Sequence, residues 1–273
     1  MKKILLLAII IFITGTITAQ RELKNYMIPS FYYSAGDYDN GDLSTSYSGY
    51  LLFTIDALNH IVFGYDNLTI KQNSFDYNQK YYVVGENINF FPWLISGNFA
   101  YMSGGFKSMG QSFPDTEFMN VFNLNINRNI GMFYIGASYT HSNVRGNNTL
   151  KVNQAGLNID YYPSNNFSFH IESYYSVLSD DQKLMSGTLT LNVKPIDSWL
   201  LSVFGTVGEK AYFFDPYKLT LYSQPDIIKW ALGGKTIITL VKEFDLIFDF
   251  QNVNFGDYTI KYYTGGIKFR IPI

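Results

Sequence analysis

The strongest constraint in this sequence is a strict alternation of residue types in two neighbouring stretches. From 167 to 177 every second residue is apolar or aromatic, apart from Ser173, and the residues between are mostly polar or ionisable. After the polar 179–181 the alternation resumes from 185 to 193. A period of two around a polar turn predicts a β-hairpin. Its strands exceed the roughly 5–6 residues typical of soluble proteins and match the roughly 9–11 residues that span a bilayer.

The composition also indicates a membrane barrel. The chain has 23 Tyr and 23 Phe among 273 residues, and only 15% of its residues are charged. Aromatic girdles around an apolar band are the expected surface of an outer-membrane barrel, and a sheet in lipid must close because an open edge leaves backbone groups unpaired. A net charge of −2 does not suggest a nucleic-acid partner, and a chain without Cys has no thiolate metal site. We predict no cofactor and no metal.

The N-terminus has the composition of a secretory signal. Two lysines precede an apolar run at 4–13, and small residues follow up to Ala19. This pattern predicts a cleaved signal peptide at 1–19, because the apolar run is too short for a membrane-spanning anchor. The mature part, 20–273, is then expected to form one β-barrel in the outer membrane of a Gram-negative bacterium, in contact with its lipid.

The hairpin unit repeats along the chain. The predicted strands are about 25–35, 43–55, 60–71, 79–90, 93–104, 117–127, 131–142, 150–162, 166–178, 183–194, 198–208, 226–241, 244–253 and 258–271. Longer polar connections alternate with tight turns, which is typical of an outer-membrane barrel. We therefore predict an all-β fold, a transmembrane antiparallel up-and-down barrel of about fourteen strands. Merging one hairpin at 179–182 or 254–257 would give twelve.

Strand phase predicts which side chains line the lumen. Leu201 and Phe248 belong to apolar series that face lipid, so their alternates face inward. The predicted lumen-lining residues are Asp160, His170, Glu172, Lys229, Lys235, Asp245, Asp249, Lys268 and Arg270. Strands 60–71 and 79–90 alternate poorly, because Glu86 falls in phase with Val84 and Ile88; a β-bulge would explain this.

The longest connection, about 209–225, is the best place for a specific role. Its aromatic residues, the candidate ligand contacts, are Tyr212, Phe213, Phe214, Tyr217 and Tyr222. Such a loop can constrict the mouth of the barrel, stack on sugar rings, or extend outward as a hairpin without a ligand. The sequence leaves these alternatives open.

Two histidines invite a catalytic interpretation. His141 and Ser142 look like part of the His-x-Ser-Asn-Gly-Arg motif of outer-membrane phospholipases. In that motif His and Ser are two residues apart, whereas adjacent residues of a strand point to opposite faces. His170 and Glu172 share one face and could serve a proton relay or a metal, although a polar lumen network is the commoner role. We predict no catalytic residues and no enzymatic activity.

The C-terminus carries a recognisable pattern. Thr264, Gly266, Phe269 and Ile271 resemble the signal by which the outer-membrane assembly machinery recognises a final strand. The chain ends in Ile instead of the frequent Phe. The assembly machinery is therefore an expected partner through this strand.

The front half is similar to a known family. The stretch FYYSAGDYDNGDLSTSYSGYLLF at 31–53, followed by IVFGYDNLTI and WLISGNFAYM, resembles the YaiO family of outer-membrane barrels over 31–103. The resemblance implies an integral outer-membrane protein, in some members associated with surface polysaccharide. It implies no site residues.

These patterns together favour one function class. We expect a channel or export pore for small polar solutes or saccharides. The alternative is a closed structural or surface-binding barrel that acts through its extracellular loops.

Overall fold

The computed structural model describes residues 25–55, 59–71, 75–108, 116–146, 149–216, 218–222 and 226–273. The predicted signal peptide, 1–19, lies outside these residues. In the part of the chain that is described, no helix is long and apolar enough to cross a membrane.

All regular structure in the described ranges is β-strand. The strands are β1 (Tyr26–Tyr38), β2 (Leu43–Ile55), β3 (Asn59–Lys71), β4 (Phe75–Phe90), β5 (Trp93–Ser108), β6 (Glu117–Ile130), β7 (Phe133–Arg145), β8 (Thr149–Ser164), β9 (Phe167–Leu178), β10 (Lys183–Ile196), β11 (Trp199–Lys210), β12 (Phe213–Asp215), β13 (Thr220–Tyr222), β14 (Ile228–Val241), β15 (Phe244–Asn254), β16 (Thr259–Phe269) and β17 (Ile271–Pro272).

Among the described residues, fourteen long strands form one closed antiparallel barrel. Each pairs with its neighbour in the chain, β11 pairs with β14, and β16 pairs with β1 from Ser30↔Lys268 to Tyr38↔Ile260. The turns at 179–182 and 255–258 each join two separate strands, so the fourteen-strand prediction is confirmed and the twelve-strand alternative is wrong. β17 continues the last strand beside β1.

The two ends of the barrel differ. The connections at 91–92, 131–132, 165–166, 197–198 and 242–243 are tight, and the longer ones lie at the opposite end. Both termini of the barrel reach the tight-turn end, where the amide of Ile273 donates to the carbonyl of Asn25 at 3.1 Å. This is the arrangement expected when a strand number is even.

The two faces of the sheet follow the predicted phase. Val203 and Phe248 are more than half exposed on the outer face, whereas Thr206 and Asp245, on the opposite phase of the same two strands, are only 4% and 0% exposed. The outer surface is therefore a band of aliphatic and aromatic side chains, as lipid requires.

The weak alternation of β3 and β4 has a different cause from the one predicted. The β3–β4 and β4–β5 ladders run without a register shift, so the expected β-bulge is absent there and Glu86 lies on the outer face. The pattern is blurred because β4 also carries apolar residues inward, Tyr81 and Val83, both nearly fully buried.

Glycines make room for rings on the lumen wall. A Cβ added to Gly266 would lie 2.4 Å from Tyr32, and one added to Gly233 would lie 2.4 Å from Phe204. Each ring belongs to the strand that pairs with the glycine. The same pairing occurs at Gly64 with Tyr50, Gly156 with Tyr174 and Gly36 with Tyr262. These glycines let large rings lie against the wall.

Candidate functional site: the barrel lumen

The long connection between β11 and β14 folds into the barrel. Its two short strands pair from Phe213↔Tyr222 to Asp215↔Thr220, and we call 211–222 the inserted hairpin. Phe213 and Phe214 are exposed by 1% and 0%. Of the alternatives left open by the sequence, the structure therefore shows the loop folded inward. The rings of Phe213 and Phe214 are packed on both sides and present no open face to a ligand.

An apolar patch on the inner wall receives this hairpin. Phe214 and Leu221 belong to one buried cluster with inward residues of β4 to β7. The wall residues of this cluster are Tyr81, Val83, Ala100, Met102, Met119, Val121 and Val144. Sequence analysis missed them, although apolar residues on the inward phase, such as Met119 and Val121 before Asn123, were the available signal.

Hydrogen bonds fix the hairpin on this patch. The Tyr81 hydroxyl donates to the carbonyl of Leu219 at 2.9 Å, and the Gln154 amide donates to the carbonyl of Phe214 at 3.1 Å. Both bonds join a wall side chain to a backbone carbonyl of the hairpin. The hairpin is thus docked by specific contacts as well as by apolar area.

Charged residues gather where the hairpin reaches the middle of the barrel. Lys210, Asp215 and Glu172 are each less than a tenth exposed. The Lys218 amide donates to Asp215 Oδ1 at 3.0 Å, and the Lys218 ammonium lies 4.0 Å from the ring centroid of Phe204. Both signs of charge are present, so the buried carboxylates have cations within reach.

His170 lies between two carboxylates. Its Nδ1 is 2.5 Å from Asp160 Oδ1, and its Nε2 contacts Glu172 Oε1. Both ring nitrogens are thus engaged by carboxyl groups, which leaves neither nitrogen for a metal. The described residues contain no group of His, Asp and Glu side chains that could hold a metal ion.

The part of the lumen beside β5 to β8 is filled by side-chain amides and hydroxyls. Asn98 donates to Asn123 at 2.9 Å, Asn123 donates to Thr140 at 2.9 Å, and Asn158 donates to Asn127 at 2.6 Å. These side chains are buried. On this side the lumen is packed and closed by a polar network.

The opposite side of the lumen contains a cavity of about 630 Å³. Its lining comes mainly from β1 to β4, β14 to β16 and the inserted hairpin, with Asn98 of β5 and Lys210 of β11. Gln79 and Asn87 of β4 both line it, and eight residues of strand cover about 26 Å. The cavity is therefore a long space beside the hairpin, and its lining includes Lys218, Lys235, Asp66, Asp249 and Lys268.

An ion cluster lies at the tight-turn end of this wall. Asp245 is fully buried; its carboxylate lies 3.0 Å from the Lys268 ammonium and 2.5 Å from the Arg270 guanidinium, and it accepts from Thr239 at 2.7 Å. Asp245 and Lys268 also face each other in the β15–β16 ladder. The cluster ties the last strand to its neighbour.

Most of the predicted lumen residues do face inward. Asp160, His170, Glu172, Lys235, Asp245, Asp249, Lys268 and Arg270 lie on the inner face. Their roles remain predictions. Of the candidate loop contacts, Tyr217 and the side chain of Tyr222 lie outside the described residues.

Lys229 was predicted on the wrong face. The β11–β14 register shifts between Val207 and Lys210, and Lys229 and Trp230 are both exposed. Lys229 lies at the rim, where its ammonium is 2.5 Å from Glu209. The preceding residue, Ile228, is buried and lines the cavity. Simple alternation fails at such a shift.

Two tyrosines of the long-loop end are perturbed by burial. The pKa of Tyr212 and that of Tyr258 are both raised, chiefly because burial disfavours the phenolate. The Tyr258 hydroxyl also donates to Asp226 at 2.7 Å. That bond joins the 255–258 turn to the end of the long connection.

The phospholipase-like pair is separated by the sheet. Ser142 is 2% exposed on the inner face, whereas His141 lies on the outer face and its Nδ1 is 2.9 Å from Asn153. A serine nucleophile must hydrogen-bond its base. This pair cannot do so.

No family model matches the chain, and no curated protein matches its sequence. Solved structures do match. The toluene transporter TodX of Pseudomonas putida aligns with a TM-score of 0.57 at 6% identity, over 91% of this chain and 89% of that one. Omp33 of Acinetobacter baumannii aligns with a TM-score of 0.52 at 10% identity, over 92% and 100%. The chain has the fold of outer-membrane β-barrels.

A third solved structure also matches. The translocator domain of the autotransporter NalP from Neisseria meningitidis aligns with a TM-score of 0.50 at 11% identity, over 98% of this chain and 94% of that one. At such identities the likeness extends to the fold alone. The resemblance to the YaiO family remains a prediction.

Proposed function

We propose that this protein is an integral channel of the Gram-negative outer membrane for small polar solutes or saccharides. The cavity beside the inserted hairpin is its passage. The observation that carries this proposal is the asymmetry of the lumen. One side is packed by amides and by the hairpin, whereas the other keeps a long space lined by hydroxyls, tyrosines and charges of both signs.

The surface supports the proposed location. The outer face is apolar and aromatic along the barrel, and the backbone groups of the sheet are paired around its whole circumference. Both are requirements for a barrel in lipid. TodX, with a similar fold, is a toluene transporter, so the fold is compatible with transport.

The last strand supports one proposed partner. Phe269 and Ile271 are exposed on the outer face, while Gly266 lies under the ring of Tyr32. The C-terminal signal thus presents its apolar residues on the accessible side. We assign its recognition to the outer-membrane assembly machinery, and membership of the YaiO family would fit the same setting.

A closed structural barrel is the second candidate. The observation in its favour is the pairing of the interior charges, with Asp245 bound by both Lys268 and Arg270. Attraction across neighbouring strands stabilises a filled interior. In this case the protein would act through its extracellular loops.

Single-channel conductance of the refolded protein in a planar bilayer separates the two candidates. Lys210 pairs with Ile228, so replacing 211–226 by Gly-Gly removes the hairpin and keeps the strand ends together. We expect a stable conductance that grows on this replacement, because the hairpin occupies the lumen. A matched control replaces the exposed turn at 179–182 by Asn-Gly and should leave the conductance unchanged.

Folding is checked by heat-modifiable gel mobility. If folded wild-type protein and the folded hairpin-less variant both fail to conduct, the channel is refuted and the closed barrel stands.

A further inference from the structure

The cavity has an unpaired cation on one wall. Lys235 projects from β14 into the cavity, and among the described residues its ammonium has no hydrogen bond and no ion pair. Transfer of an ammonium out of water without a partner is costly. An anionic group in the cavity would remove that cost.

Apart from Asp249, the other charges that line this space are already engaged; Lys210, for example, lies over the ring of Phe213. Lys268 is 3.0 Å from Asp245, and Asp66 accepts a hydrogen bond from Ser46. At the rim, Asp226 accepts from Tyr258 at 2.7 Å. Lys218 lies over Phe204. Lys235 is therefore the cation most open to a solute.

Asp249 is the group that competes for this cation. It faces Lys235 directly in the β14–β15 ladder, and its Oδ1 accepts from Gln251 at 3.0 Å. An anionic solute must displace the attraction of Asp249 for Lys235. Its presence makes binding weak and reversible, which suits a passage.

The surroundings of Lys235 select the rest of the solute. Across the wall from Asp249 lie Thr264 and Ser34, whose hydroxyls are 2.6 Å apart. The next row towards the tight-turn end carries Ile247 and Tyr32, and both line the cavity. A cation thus lies beside hydroxyls and above an apolar, aromatic floor.

From this arrangement we infer that the cavity binds small carboxylates with an apolar or aromatic body. The carboxylate pairs with the Lys235 ammonium, and the body lies over Ile247 and Tyr32. The inference rests on the proposed channel and names the class of solute that its passage prefers.

Benzoate is the probe, titrated against the full-length mature protein in detergent micelles and followed by saturation-transfer NMR. Benzyl alcohol, with the same ring and no charge, is the matched ligand. Lys235→Gln should weaken benzoate binding by about tenfold or more, because a charge-assisted contact is lost. Lys229→Gln, which removes a rim lysine outside the cavity, should leave it unchanged. Asp249→Asn should tighten it.

Saturable benzoate binding that depends on Lys235 and exceeds the binding of benzyl alcohol supports the site. Equal binding to wild type and Lys235→Gln, or no saturable binding to either, overturns it. The same preparations are tested for conductance. Binding without conductance supports the site and refutes the channel, whereas conductance without Lys235-dependent binding refutes the site and leaves the channel standing.

Discussion

Adjacent glycines near the end of the last strand offer a matched test of how the lumen wall is packed. A Cβ added to Gly266 would lie 2.4 Å from Tyr32 Cδ1 and 3.1 Å from the carbonyl oxygen of Phe31. A Cβ added to Gly265, on the outer face, would have no atom within 4 Å. Alanine at the two positions therefore differs in one respect, the space that receives the methyl group.

The two substitutions are expected to change the free energy of unfolding differently. Gly266→Ala should lower the free energy of unfolding by about 2 kcal/mol, since overpacking costs about 1–3 kcal/mol and the backbone of Phe31 cannot easily move. The Tyr32 ring must also shift, and it packs against Tyr50 at 5.9 Å. Gly265→Ala should be neutral or stabilising by about 0.5 kcal/mol, because alanine loses less backbone entropy than glycine.

Equilibrium unfolding by urea in phospholipid vesicles, followed by tryptophan fluorescence, measures both. Tyr32→Ala in the Gly266→Ala background should recover part of the loss, so the double-mutant cycle should show a coupling of about 1 kcal/mol or more. A neutral Gly266→Ala, or a Gly265→Ala that costs more, would refute the assignment of Gly266 to the space beneath the ring.

Four further substitutions test other parts of the structure. Phe248→Arg places a charge on the lipid face near the middle of β15 and should cost about 2–4 kcal/mol in a bilayer, measured by the same unfolding assay; a near-neutral result would contradict the face assignment. Asp245→Asn leaves two cations without their carboxylate and should lower the free energy of unfolding by about 3 kcal/mol. The pair of Lys229 with Glu209 is exposed, so Lys229→Gln should lower it by no more than about 1 kcal/mol. Phe214→Ser should undock the inserted hairpin and expose it to proteinase K, and continued resistance would show that the apolar patch does not hold it.

The strands could be predicted because alternation is a local property, and their closure followed because an open edge in lipid leaves backbone groups unpaired. The inward position of Asp245 follows from its own strand, as does the outward position of Phe248, and neither requires knowledge of a distant residue. Lys229 was misplaced because the register shift lies between two strands and leaves no mark on the sequence of β14 alone.

The inserted hairpin is the element that sequence reasoning could not settle. The fate of Phe214 depends on Tyr81, Met102 and Met119, which lie more than 90 positions away in the chain. The same patch explains why β4 alternates poorly: residues that face inward there meet protein instead of water. Inward apolar positions in several neighbouring strands are thus a signal that a loop will fill the lumen.

The position of the cavity has a consequence for biogenesis. Its wall includes Tyr32 and Thr264, which stand on either side of the line where β1 meets β16. Until those two strands join, this space is an open groove along a free edge. The proposed passage is therefore enclosed only once β1 and β16 have paired, and a barrel without that pairing encloses no route by which solutes could leak.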